Sequence, residues 1–267
     1  MNHKIYISVD MEGITGVIHW DETDEKKPEH NYFKKLMTEE TNAAIEAALE
    51  AGATEIVVRD AHASARNLVP DMLNENAKLL REWSRGPYLM MEGIDDSFDA
   101  VLCIGYHAKA GTPNATLKHT MSGQILDLRV NDQSLPELGW NALIAGYHSV
   151  PVIFVSGDRA LTEQAHQIFG EIETVAVKEG LGQAALNLHP KRAQRLIKEG
   201  VGKAFKRISD FKPLKFSSPY RMELHFKNED RAFRAEWYPG AKRIGELVVS
   251  FECADFMDCL RFFMFVT

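Results

Sequence analysis

Apolar residues alternate at Ile5, Ile7 and Val9, the period of two that marks a strand, and Gly13 supplies a turn after it. Residues 38–52 change period. In T-E-E-T-N-A-A-I-E-A-A-L-E-A-G the apolar positions fall on one helical face, Thr38 can cap the start, Glu39 and Glu40 suit the positive end, and Gly52 suits the stop. Three short apolar runs read as buried strands: E-I-V-V-R-D, the stretch from Ala100 to Gly105, and P-V-I-F-V-S-G-D. A helical stretch, L-T-E-Q-A-H-Q-I-F-G, follows the third, and T-V-A-V-K then precedes another helix. Strands separated by helices predict a largely parallel sheet covered on both faces, a three-layer α/β/α arrangement.

Two sections depart from that rhythm. Q-I-L-D-L-R-V from Gln124 reads as a strand entering a hairpin at Asn131-Asp132, with helical pattern resuming near Glu137 and running to about Tyr147. After His189 comes a basic amphipathic helix, then the strand-like R-M-E-L-H-F and E-L-V-V-S-F-E, then a closing helix from Asp255. This predicts a catalytic-size α/β domain over residues 1–190 and a small α+β domain over 191–267.

The chain has 267 residues, enough for a full core, and carries a formal net charge of -7, which argues against a phosphate-binding surface and so against a nucleic-acid partner. The basic helix after His189 is read as a solvated face. No apolar run is long enough to span a bilayer, so no membrane partner is expected. The strand pattern starts within the first residues, leaving no room for a signal peptide. The cysteines, Cys103, Cys253 and Cys259, are odd in number and form no C-x-x-C pair, which disfavours a disulfide framework and points to a reducing, cytoplasmic location.

In an open α/β sheet ligands bind beyond the carboxyl ends of the strands. The polar residues there are Asp10 and Glu12 after the first strand, Asp60 and His62 after the second, His107 after the third and Asp158 after the proline-led one. Asp10 and Glu12, two apart, point to one side in an extended chain, and crowded carboxylates repel unless a cation lies between them. Asp60 is placed to orient His62. Each of these residues alone has an ordinary explanation as a cap or a loop polar group. Two histidines and two carboxylates at neighbouring strand ends suit zinc or another late first-row metal. Pro136-Glu137 reads as the first turn of a helix, and spacing says nothing further of Glu137. His119, in a loop, is open as a ligand, an acid/base or a nucleophile. Asp158 is expected to cap the helix that follows it. No G-x-S-x-G, H-E-x-x-H, G-x-G-x-x-G or phosphate-loop motif occurs.

Together the motifs S-V-D-M-E-G, R-D-A-H-A-S, I-G-Y-H-A-K, H-T-M and P-E-L-G-W-N-A resemble the zinc-dependent D-aminopeptidases of the dipeptide-transport-operon type, peptidase family M55. The resemblance covers nearly the whole chain and is weakest after about residue 205. It implies two zinc ions per subunit held by Asp10, Glu12, His62, His107 and Glu137, with Asp10 bridging. It is taken to place Glu12 and His107 on one ion and His62 and Glu137 on the other. It marks His119 as the catalytic residue. A metal pair already makes a nucleophile at neutral pH, so proton transfer by His119 is favoured over direct attack. The implied activity is removal of an N-terminal residue, expected to be a D-amino acid, from short peptides by a homo-oligomer, a decamer by resemblance. The alternatives are another binuclear-metal hydrolase, such as a small-amide amidase or phosphoesterase, and a dipeptide-binding protein.

Overall fold

The computed structural model describes residues 2–267. The first strand, β1 (His3–Val9), lies parallel to β2 (Ala53–Asp60) on one side and to β4 (Ala100–Tyr106) on the other. Between β1 and β2 come a single-turn helix, α1 (Trp20–Thr23), and the long α2 (His30–Glu50). A short β3 (Ala77–Leu80) extends the sheet beyond β2. The chain then leaves for β5 (Ile125–Val130) and β6 (Gln133–Ser134), and returns through α3 (Glu137–Tyr147), β7 (Val152–Asp158), α4 (Arg159–Phe169) and β8 (Glu173–Leu181). The antiparallel β9 (Ala184–Asn187) closes the edge. The order is β3-β2-β1-β4-β7-β8-β9. The connections therefore run outward in opposite directions from β1 and β4, and the gap between their carboxyl ends is the topological switch point, where such sheets bind ligands.

Alternation along β1 divides its side chains between two cores. Ile5, Ile7 and Val9 pack with α2 and with α5 (Pro190–Lys206) on one face. Tyr6 joins the core on the other face, which includes α3 and α4 residues such as Leu143 and Leu161. This is the predicted three-layer arrangement, and the helix over Glu137 to Tyr147 has the expected bounds. The helix expected to begin at Thr38 starts earlier, at His30, and Thr38 is internal, its hydroxyl donating to the carbonyl of Lys34. The segment after T-V-A-V-K is first a strand, β9, and only then a helix.

A second, antiparallel sheet stacks on the α3 side. It contains β10 (Tyr220–Phe226), β11 (Lys242–Arg243) and β12 (Val248–Cys253) in the order β11-β12-β10-β5-β6, with α6 (Glu229–Ala235) and α7 (Phe256–Val266). Asn131 and Asp132, both at positive φ, make the predicted hairpin turn between β5 and β6. The division at residue 190 does not follow these sheets. Residues 125–130 pair with β10, whereas α5, beyond the expected boundary, packs on α2 and β8. Strand pairing across such a distance leaves no trace in local pattern.

Candidate functional site

The turn after β1 is pressed against the end of β4. Asp10 N donates to the carbonyl of Ile104, and Gly13 N to that of Gly105. A Cβ on Gly13 would stand 1.8 Å from the Tyr106 carbonyl oxygen, so only glycine permits the approach. Gly105 takes φ +70, a conformation that favours glycine. These contacts bring the side chains of Asp10 and Glu12 beside His107 at the switch point. His62 enters from the turn after β2, and Glu137 from the first turn of α3. All five are buried.

The distances divide the cluster into two groups, in each of which the ligand-type atoms lie within 4.8 Å of one another. In the first, His62 Nδ1 is 3.2 Å from Asp10 Oδ1 and 3.0 Å from Glu12 Oε2. In the second, His107 Nε2 and His119 Nε2 each stand 3.4 Å from Glu137 Oε1. Asp10 faces both groups, since its Oδ2 is 3.4 Å from His107 Nε2. The geometry thus pairs Glu12 with His62 and Glu137 with His107, the reverse of the expected division. The reason is local. Glu12 and His62 sit on the β1–β2 side of the switch point, whereas α3 delivers Glu137 on the β4 side.

Each imidazole has one nitrogen fixed by a main-chain carbonyl, which can only accept. His62 Nε2 donates to Thr23 (3.0 Å), His107 Nδ1 to Ala108 (3.0 Å) and His119 Nδ1 to Leu117 (2.9 Å). In the neutral ring the other nitrogen then presents its lone pair to the carboxylates, the tautomer a metal ligand requires. The expected orienting role of Asp60 is not found. Its carboxylate accepts from Asn67 N (2.5 Å), Asn67 Nδ2 (2.9 Å) and Leu68 N (2.7 Å), and so anchors the turn that carries His62. Asp158 caps α4 through Leu161 N, as expected, and also accepts from Ala108 N beside His107.

Three carboxylates sharing a dry site cost several kcal/mol each unless compensated. Burial and the Glu12 charge push Asp10 up to about 7. Burial opposes ionisation of Glu12 too, but His62 outweighs it and holds that carboxyl well below its usual value. Burial likewise disfavours a charged His107, yet Glu137 and Asp10 raise it to about 10. The cluster therefore binds protons wherever no other cation neutralises it. Asp10 Oδ2, Glu12 Oε2 and His107 Nε2 are buried without a hydrogen-bond partner. Deprotonated oxygens and a ring nitrogen left unpaired in this way fit divalent cations of the zinc type.

The cluster forms one wall of a cavity of about 880 Å³. Trp20 and Thr23 of α1 line it, and across it stand Ile125 of β5 and Phe263 of α7. The Trp20 ring meets His119 edge-on, with centroids 5.4 Å apart, and His119 stacks on His107 at 4.2 Å. Sequence reasoning missed Trp20 and Thr23. A half-exposed tryptophan and a main-chain carbonyl leave no pattern to read.

The sequence matches the family described as D-aminopeptidase, peptidase M55, over residues 3–265. The D-aminopeptidase of Bacillus subtilis (strain 168) is 34% identical over 266 residues, spanning 99% of this chain and 96% of that protein. The solved structure described as "Zn-dependent D-aminopeptidase DppA from Bacillus subtilis, a self-compartmentalizing protease" superposes with a TM-score of 0.94 at 33% identity, covering 98% of this chain and 96% of its own. With a full-length sequence match and a shared fold, this chain belongs to the peptidase M55 family of D-aminopeptidases.

Proposed function

We propose that the protein removes the N-terminal residue, of D configuration, from short peptides at a centre of two zinc ions. The observation that carries this reading is the convergence of Asp10, Glu12, His62, His107 and Glu137, buried and partly unpaired, at the switch point. Glu12 and His62 would hold one ion, His107 and Glu137 the other, and Asp10 would lie between them. Two such ions polarise a scissile carbonyl and stabilise the charge that develops on its oxygen. The chain's own residues do the rest. The backbone carbonyls of Thr23 and Ala108 keep His62 and His107 turned toward the carboxylates. The cavity beside the cluster has room for a short peptide, and one of the ions would hold the peptide's free amine, which fits an enzyme acting at the N-terminus. His119, about one-sixth exposed at its side chain, sits between the cluster and the cavity. With Nδ1–H held by Leu117, its Nε2 is free to take a proton and return it to the leaving amine. A second reading has its own observation: His119 Nε2 is as close to Glu137 as His107 Nε2 is, so His119 could be a ligand.

A homo-oligomer, a decamer as the resemblance implies, and a cytoplasmic location belong to the same proposal. The relative's self-compartmentalising assembly supports the first. The odd number of cysteines and the lack of a C-x-x-C pair support the second. Among the described residues no helix is long and apolar enough to cross a membrane.

The test is side-by-side turnover of D-alanyl p-nitroanilide, its L-isomer, its N-acetylated form and p-nitrophenyl phosphate by zinc-loaded protein. Hydrolysis of the free D-compound alone is expected. Preference for the phosphate, or equal cleavage of acetylated and free amides, overturns the assignment.

A further inference from the structure

Three residues within the site motifs take no part in the cluster, yet they form a second buried group beside it. Ser8 lies two residues before Asp10 on β1. Tyr106 immediately precedes His107 at the end of β4. Asn141 lies one turn after Glu137 on α3, and so on the same helical face. All three are fully buried. Their hydrogen bonds run in one direction. Ser8 Oγ–H donates to the carbonyl of Met90 at 3.0 Å. Its oxygen therefore accepts from the Tyr106 hydroxyl, 2.7 Å away. Tyr106 in turn accepts from Asn141 Nδ2 at 3.0 Å. Each hydroxyl gives one bond and receives one.

This chain joins β1, β4 and α3, the elements that carry Asp10, His107 and Glu137. The rest of the α3 contact is apolar, with Leu138, Leu143 and Ile144 in the core, and apolar packing is non-directional and tolerates small slides. The Asn141–Tyr106 bond does not, because a shift along the helix axis breaks it. Tyr106 is itself immobilised, since a Cβ on Gly13 or on Gly157 would stand 1.8 or 1.9 Å from its carbonyl oxygen.

We propose that Ser8, Tyr106 and Asn141 are positioning residues that set the height of α3 against β1 and β4, and with it the gap across which Glu137 meets His107 and Asp10. The inference rests on reading those three residues as metal ligands.

Tyr106→Phe removes one hydroxyl and almost no volume. Metal-free wild-type and variant protein are titrated with zinc by calorimetry, the visible spectra of both cobalt-loaded forms are recorded, and kcat and KM are measured separately. Outer partners of metal ligands typically contribute 10–100-fold to metal affinity. The variant is therefore expected to bind one of its two ions roughly 10–100-fold more weakly, to show a shifted cobalt absorption, and to lose kcat with KM changed by less than about threefold. A variant whose zinc affinity and cobalt spectrum match wild type, and which differs only in melting temperature, overturns the proposal and leaves the group purely structural. If Tyr106→Phe does not fold, Ser8→Ala, which strands the same hydroxyl, takes its place with the same criteria. A wild-type protein that binds no divalent ion overturns the ligand reading and this inference together. Equal binding by wild type and variant overturns this inference alone.

Discussion

Two sets of buried polar side chains meet at the carboxyl ends of β1, β2 and β4, and they are built differently. In the matched set, Ser8, Tyr106 and Asn141 form a directional chain that satisfies both hydroxyls and leaves only the neutral Asn141 Oδ1 unpartnered, and Asp60 with Asn67 anchors the turn that carries His62. In the unmatched set, only a residue or two along the same strands, Asp10, Glu12 and His107 keep buried atoms with no partner. A fold satisfies its buried polar groups wherever it can, because each unsatisfied one costs about 1–3 kcal/mol and a charged one more. The matched set therefore reads as the framework that holds the site's elements in place. The unmatched set reads as a place where a ligand supplies what the chain does not.

The comparison predicts that damage to the two sets has different consequences. The largest effect is expected from His62→Ala, which takes the imidazole from between Asp10 and Glu12. The variant should lose zinc and turnover together, as read by elemental analysis and by peptide hydrolysis. Full metal content with near-normal activity would return His62 to an ordinary loop role.

His119→Ala comes next. The other five residues already supply the ligand set, so both ions should remain while kcat falls roughly 10²–10⁴-fold, the usual contribution of a placed acid or base. A larger collapse with both metals intact would favour direct attack by His119. Loss of a metal would make His119 a ligand and move it into the unmatched set.

Proton competition gives a smaller and graded effect. His107 is raised to about 10, so at neutral pH the metal-free protein holds a proton that zinc must displace. Apparent zinc affinity should rise with pH by about tenfold per unit for each proton released. A flat profile between pH 6 and 8 in titration calorimetry would mean that no such proton is displaced.

The smallest effect on chemistry should come from the matched set at Asp60. Asp60→Ala strands three N–H donors and should cost about 3 kcal/mol of stability in urea unfolding. Its zinc content should fall far less than that of His62→Ala, since all the ligand side chains remain. Loss of zinc without loss of stability would erase the distinction between the two sets.

Much of this was legible in the sequence. Asp10, Glu12, His62 and His107 fall at strand ends, and in a parallel sheet strand ends are where ligands bind. Glu137 was not legible from spacing, because a glutamate after proline in a helix's first turn serves the helix equally well; only the family resemblance marked it. The grouping of these side chains was not legible, because it depends on which side of the switch point each turn delivers its side chain. Asp60 was assigned to His62 by proximity in sequence, whereas the turn bends its carboxylate back to Asn67 and Leu68. The boundary drawn at residue 190 does not follow the two sheets, because β5 pairs with β10 more than ninety residues later and α5 packs backward onto α2. These are all consequences of tertiary pairing, which local periodicity does not encode.

The central claim is that the unmatched set holds a metal pair, and counting metal tests it most directly. Protein purified without chelators and analysed by elemental mass spectrometry should carry close to two zinc equivalents per chain. Removing them should abolish D-alanyl peptide hydrolysis, and adding zinc should restore it. A chain that carries no metal and gains no activity on addition of zinc or cobalt contradicts the account.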